Sequence, residues 1–397
     1  MDLLLIVALA AHLLAVNLAG AAPLVCLWLD WRAVHRDDAA AAELGRWLVR
    51  QSLIWLTAGI ALGLVTLGLV WLLDWQRFAA AAGRVPPARY WYGVAELAFY
   101  FVCMGGYLAL WRDAATQPSW RRTWGRRGLG FSAGTNLLYH FPPLFAVIGA
   151  LGTRPEVVDQ TLNFREAMID PEVLAHTLHH VLASFAVVGV AMMGHAMALA
   201  RVGRARLSAL PLEAVSVEPA AGADARRMAI WGGRLALVPT LLQLLAGTFV
   251  LLTLPASLQD RLLGQDLPAT ILFAASLVAA LALMHRLAAV AMGDVQRREI
   301  IGSIVLLVAV VLLMVGTLHR ARKPAVAPKN SESVLWRGLP TTPRGLRDGR
   351  ETVAQRANSE QSQNQEPEKH DSGIDFAASR GQRRAGQGPA RDGLQLL

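Results

Sequence analysis

Eight stretches of about twenty or more mostly apolar residues run through this chain, each long enough to cross a bilayer as a helix. They lie at 3–29, 51–73, 91–111, 130–151, 173–200, 228–254, 269–292 and 299–319, bounded by charged or Pro/Gly-rich segments. In hydrocarbon every backbone N–H and C=O must be satisfied within the element, so stretches of this kind fold as helices. The expected fold class is all-α: a polytopic membrane protein of about eight transmembrane helices. They are expected to form two four-helix bundles, residues 1–152 and 173–319, followed by a disordered polar tail over 320–397 that is too polar to build a core. With 54% hydrophobic and 17% charged residues in 397, an ordinary soluble enzyme is excluded.

The first stretch resembles a secretory signal, since LAGAA offers a small-residue site. No basic residue precedes it, however, and it continues to Leu29, so it reads as the first span. Cys26 and Cys103 lie inside apolar runs with no CxxC, which excludes a disulfide framework, a zinc ribbon and a covalently attached haem.

Charge fixes an expected orientation. The net +9 falls to +4 once the 14 bases and nine acids of the last 78 residues are set apart. So small a surplus, spread over short loops, excludes nucleic-acid binding and suits topology control. Connections after the odd-numbered spans carry 16 Arg and those after the even-numbered spans six. The positive-inside rule then puts the N-terminus outside and the odd-numbered loops in the cytoplasm of a bacterial inner membrane. An even span count leaves the basic tail outside as well.

Ionisable side chains in hydrocarbon are costly and face a cavity, a cofactor or one another. His12, Glu96, His140, His176, His180 and Arg234 stand inside the spans. At 1.5 Å rise per residue, Glu96, His180, His12 and His140 lie roughly 8, 11, 13 and 17 Å below the outer surface. Four helices thus bring ligand-type side chains into one half of the membrane. Imidazole in a dry helical bundle is the usual axial ligand of a b haem, and a carboxylate at that depth ligates iron or moves protons. The bland alternative is a hydrogen bond to a neighbouring helix, to which a lone membrane histidine is equally suited. His176 and His180 share a helix face, and His179 points elsewhere. Asn17, Asn136 and Gln243 read as interhelical bridges, and Trp71, Trp75, Tyr90, Trp91, Tyr92 and Trp111 as interfacial anchors. Arg234 either snorkels to the cytoplasmic surface or pairs with a haem propionate.

On these residues the chain resembles the large haem-bearing subunit of cytochrome bd quinol oxidases, as a shortened and divergent relative. HHVLASFAVVGVAMMG from His179 is similar to the segment that ligates the low-spin haem, HLLAVNLAGAAPL from His12 to the opening helix with its ligand to the oxygen-side haem, and VAELAFYFVCMGGYLALW to the helix carrying a carboxylate, here Glu96. GTNLLYHF around Asn136 and WGGRLALV around Arg234 match in order, so the likeness spans about 1–250. The resemblance implies one or two b haems, with His12 and His180 as metal ligands, Arg234 at the cofactor and Glu96 there as the catalytic carboxylate; beyond the resemblance, His140 is expected as a further metal ligand and His176 as a further residue at the cofactor. It implies an oxidoreductase passing electrons between a quinol or c-type cytochrome and an acceptor such as oxygen, beside a second membrane subunit. The departures are equally definite. Ala236 stands where the family has a Met ligand, Met104 where it has a second Glu, GDVQRRE where it has Gly-Arg-Gln-Pro-Trp, and the long quinol-binding loop is missing. His140 is extra to the pattern and is expected to replace a lost ligand, with His12 or Glu96. Two other readings stay open: a quinol-oxidising terminal oxidase with relocated sites, and a haem-free transporter or proton relay.

Overall fold

The protein was analysed as a computed structural model, which describes residues 1–114, 119–153, 163–207 and 219–322. The expected polar tail lies, beyond residue 322, outside the described residues. All regular structure among the described residues is helical: α1 Asp2–His35, α2 Ala39–Ala82, α3 Pro87–Ala114, α4 Trp120–Thr153, α5 Phe164–Met168, α6 Pro171–Leu207, α7 Pro219–Thr253, α8 Ala256–Asp260, α9 Leu267–Ala291 and α10 Arg297–Arg322.

Seven of these, α1, α2, α3, α6, α7, α9 and α10, are long and apolar enough to cross a membrane. The eighth expected span, 130–151, lies in α4, whose 34 residues are ample in length. Its apolar character is diluted by Asn136, Tyr139, His140, Pro142 and Pro143. Its crossing follows from the ends of the bundle instead. His319 near the end of α10 lies 3.6 Å from Asp2 at the start of α1, so both termini of the helical body share one face and the number of crossings is even. The Arg322 guanidinium beside Gly149 near the end of α4 agrees. Single cysteines at Met1 and at Arg322 are therefore expected to react with a membrane-impermeant maleimide from the same side of a sealed vesicle.

Helix α1 is the hub, touching α2, α4, α6 and α10. The main core gathers around it, with Ala15, Ala19, Ala21, Ala22, Cys26 and Leu29 fully buried. Lipid tails are as apolar as leucine, so helices in a membrane gain by close van der Waals fit and by hydrogen bonds rather than by leaving solvent. Both appear here. Tyr100 of α3 donates to Ala19 O (2.7 Å) and Tyr107 to Cys26 O (3.3 Å), which sets α3 parallel to α1 in fixed register. The Ser184 hydroxyl of α6 donates to Asn17 Oδ1 at 2.8 Å, the interhelical bridge expected of Asn17. Helices α6 and α7 approach so closely that a Cβ on Gly189 would stand 2.5 Å from Gly232 O and one on Gly232 2.5 Å from Gly189 O. Only glycine permits that crossing.

Two details depart from the sequence reading. The second helix begins at Ala39 rather than near 51, because the Asp38 carboxylate accepts from Ala41 N and caps it. Arg46 and Arg50 are thus helical rather than loop residues. Trp111, expected to be an interfacial anchor, is buried beneath the Arg126 guanidinium, 4.6 Å from its ring centroid.

That arginine belongs to the strongest charged group in the fold. Asp30 of α1 is completely buried and accepts from Arg126 and, at 2.7 Å, from Arg127, both of α4. Beside it, Asp38 accepts from Arg32 at 2.9 Å and lies 3.3 Å from Arg227 of α7. Burial by itself would lift the Asp38 carboxyl. The Arg32 hydrogen bond, the Ala41 N–H and the charge of Arg227 overcome that and hold it below the usual carboxylate range. These contacts latch α1, α2, α4 and α7 at the face opposite the N-terminus. Removing one member of a buried ion group leaves uncompensated charge and costs about 3–5 kcal/mol. Asp30→Ala is expected to lose that much stability in thermal unfolding of the detergent-solubilised protein, whereas replacing exposed Glu43 is not.

Candidate functional site

Contacts along α1 give each candidate side chain a level. Tyr100 opposite Ala19 places Glu96 one turn earlier on α3, at about the level of Ala15. Ser184 opposite Asn17 places His180, one turn earlier on α6, beside His12. Leu138 of α4 packs at Gly20, which puts His140 near the level of Leu18. His12, His180, Glu96 and His140 therefore fall within about 9 Å of one another along the axis of α1.

Level does not decide facing, and the side chains separate into two pairs. His12 turns to α2, where its Nδ1 lies 2.8 Å from Gly59 O. Its ring fills the space over Gly63, where any Cβ would stand 2.9 Å from Cε1. If Nδ1 carries the proton, as the carbonyl partner favours, Nε2 keeps its lone pair. His180 stands within electrostatic range of His12 and of His179, and its ring has no hydrogen-bond partner among the described residues. His179 faces α7 at Gly247, and His176 lies 2.8 Å from Glu172 O through Nδ1. Both retain a buried ring nitrogen, His176 Nε2 and His179 Nδ1, with no partner among the described residues. Four imidazoles thus follow one another from the N-terminal face into the bundle: His176, His179, His180, His12.

The second pair joins α3 to α4. His140 Nδ1 lies 3.3 Å from Glu96 Oε1 and 3.2 Å from Asn136 O, while Asn136 Nδ2 donates to Glu96 O at 3.3 Å. Asn136 is the bridge expected of it. The pair is only half-buried, at 35% exposure for the imidazole and 18% for the carboxylate, so it opens toward the surroundings of the bundle. His140 is thus in direct contact with Glu96.

Arg234 is not brought to either pair. It stands thirteen residues before Gly247 on α7, about 20 Å from the level of His179. There its Nε–H donates to Ala291 O at the end of α9 (3.1 Å), satisfying a carbonyl the helix end leaves open. Ala236, where the resembling family has a Met, is fully buried against Gly189, and the closeness of α6 and α7 leaves no volume for a longer side chain. His195 stacks on Trp47 at 4.1 Å, a packing role.

The donor chemistry fits a haem one imidazole at a time. His12 has the backbone carbonyl on one ring nitrogen that ligating histidines use to fix tautomer and orientation, and a glycine cradle that admits the ring. The His180 ring has no competing partner among the described residues. Among the described residues no three His, Cys, Asp or Glu side chains converge as a bare-metal site. That excludes a polydentate metal cage of described residues without bearing on axial ligation, which takes one or two imidazoles. The sequence missed the Asp30 latch and the glycine seat of His12. The first had a signal in the lone acid at the end of an apolar run, the second in Gly59 and Gly63, one turn apart.

No family model matches the chain, and no curated protein matches it by sequence. Among solved structures it is similar to the bd oxidase from Geobacillus thermodenitrificans, with a TM-score of 0.59 and 14% identity, over 84% of this chain and 92% of that one. At that identity the likeness is one of fold. The cost of the Glu96–His140 contact is open to measurement. Hydrogen bonds between membrane helices average about 0.6 kcal/mol and reach about 1.7, so a double-mutant cycle with Glu96→Gln and His140→Ala is expected to give a coupling in that range.

Proposed function

We propose that this chain is a haem b-binding membrane subunit of a respiratory chain, lodged in a bacterial inner membrane with its N-terminus outside. In this reading it carries electrons between a quinol or c-type cytochrome and a terminal acceptor such as oxygen. The observation that supports it most is the seat of His12. A ring wedged over Gly63 and tied by Nδ1 to Gly59 O keeps Nε2 as a donor, and the His180 ring at the same level has no hydrogen-bond partner among the described residues.

His12 and His180 would hold the iron, and the haem would supply reversible one-electron chemistry that side chains lack. The chain's own groups do the rest. Gly59 O fixes the proton on His12 Nδ1, leaving Nε2 as the donor. The Ser184–Asn17 bridge holds α6 to α1 one turn below the imidazoles and keeps their separation fixed. His176 extends the imidazole row toward the N-terminal face. Glu96 takes up a proton at Oε1 and exchanges it with His140 Nδ1, the group 3.3 Å away, and Asn136 fixes both helices around that exchange. Residues 1–152 and 173–319 form two four-helix bundles in this reading, docked along α1 and α6, with a second membrane subunit or a c-type cytochrome as partner. The fold shared with a bd oxidase is consistent with it.

A pyridine haemochrome assay on protein purified in mild detergent is expected to show a b-type spectrum. Haem content should fall severalfold in His12→Ala and in His180→Ala, with helicity by circular dichroism unchanged. A colourless wild-type preparation overturns the reading. The half-open Glu96–His140 pair favours the second reading in that event, a haem-free proton relay.

A further inference from the structure

We infer that the cavity between α1 and α7, at the face opposite the N-terminus, is a site for the headgroup phosphate and one acyl chain of an acidic phospholipid. The cavity holds about 490 Å3, and Trp28, Arg32, Trp231, Arg234, Val238 and Pro239 line it. It belongs to neither histidine pair, lying about 20 Å along α7 from the level of His179.

Its charge is the first argument. Arg234 uses only Nε on protein, donating to Ala291 O, so its two terminal nitrogens have no partner among the described residues. Arg32 gives one nitrogen to Asp38 and leaves Nε buried without a partner among the described residues. The Arg32 guanidinium is held in place by the faces of Trp231 at 4.4 Å and Trp28 at 5.7 Å. Of the lining side chains Arg32 and Arg234 are charged, and Asp38, which accepts from Arg32, offsets one of them, leaving a surplus of one positive charge. Free guanidinium N–H groups at a membrane boundary call for an anion with several oxygens, and the phosphate of a lipid headgroup is one that they bind bidentately.

The walls give the second argument. They are almost wholly apolar, which suits no free inorganic ion. From Val238 the exposed side chains of Leu241, Leu242 and Leu245 continue along the same face of α7, at one-turn spacing, toward the middle of the membrane. That ridge gives an acyl chain a continuous track below a phosphate held by the two arginines. Paired Trp at this depth sit where headgroup meets chain, and basic pockets between membrane helices select acidic headgroups. A choline headgroup would bring a further positive charge into a region already in surplus.

Native mass spectrometry of the full chain, delipidated in mild detergent and supplied with equal amounts of phosphatidylglycerol and phosphatidylcholine, tests the inference. Preferential retention of phosphatidylglycerol is expected. Arg234→Gln should weaken that retention about tenfold, or about 1.4 kcal/mol. Val238→Trp, on an exposed face and leaving every charge in place, should block it by filling the apolar track, with circular dichroism unchanged. Millimolar inorganic phosphate should not compete. Equal retention of the two lipids, full retention by Arg234→Gln, full retention by Val238→Trp, or displacement by phosphate alone would each overturn the assignment.

Discussion

Everything in this fold is referred to α1, and α1 can serve as the reference because its inward face is small. Ala15, Ala19, Ala22 and Cys26 let neighbouring backbones come close, and closeness is what packing in hydrocarbon rewards when no water is left to expel. Small faces alone would also let helices slide. The Ser184–Asn17, Tyr100–Ala19 and Tyr107–Cys26 hydrogen bonds remove that freedom, each crossing from a side chain to a neighbouring helix at a single level. The depth at which His12, His180, Glu96 and His140 gather is therefore a consequence of register. Register is set for α3 and α6 by these three hydrogen bonds and for α4 by the packing of Leu138 at Gly20.

The charges do at the ends what those bonds do in the middle. Asp30 with Arg126 and Arg127, and Asp38 with Arg32 and Arg227, join four helices at one face; Asp266 with Arg261 and Arg320 joins α9, α10 and the turn before α9 at the other. A buried ion group returns little net stability over a well-packed apolar one. It does penalise every arrangement in which its partners are apart. In a bundle whose apolar faces are chemically alike, that penalty discriminates between alternative helix pairings.

The sequence shows the helices plainly, because an apolar stretch in lipid has one way to satisfy its backbone. It also shows the depth of the candidate residues, since depth is only residue number multiplied by rise. It does not show facing. His12 and Glu96 share a level, yet one turns to Gly59 on α2 and the other to His140 on α4, and only packing decides that. The positive-inside count treats Arg32, Arg126, Arg127 and Arg227 as loop charges, although each is spent on a specific carboxylate across helices. Trp111 has the composition of an anchor and the position of a core residue, because Arg126 needs its face. Arg234 sits in a segment resembling a haem-binding one, but its neighbours are a helix end and two tryptophans. Each of these depends on a partner distant in sequence, and periodicity carries no information about such partners.

The separation of the two pairs also bears on what they do. An imidazole that holds iron must be kept from water and from competing donors, which is the condition of His12, seated over a glycine with one ring nitrogen already committed. A carboxylate that moves protons needs the reverse: a proton-accepting partner within reach and a route to somewhere else. Glu96 has His140 at 3.3 Å and an opening on the side of the bundle. In the proposed reading the two demands conflict within one site, so placing them on different helices at one depth resolves the conflict. The imidazoles that would hold the haem then stay apart from the proton-exchanging carboxylate, and the proton stays where it can be exchanged.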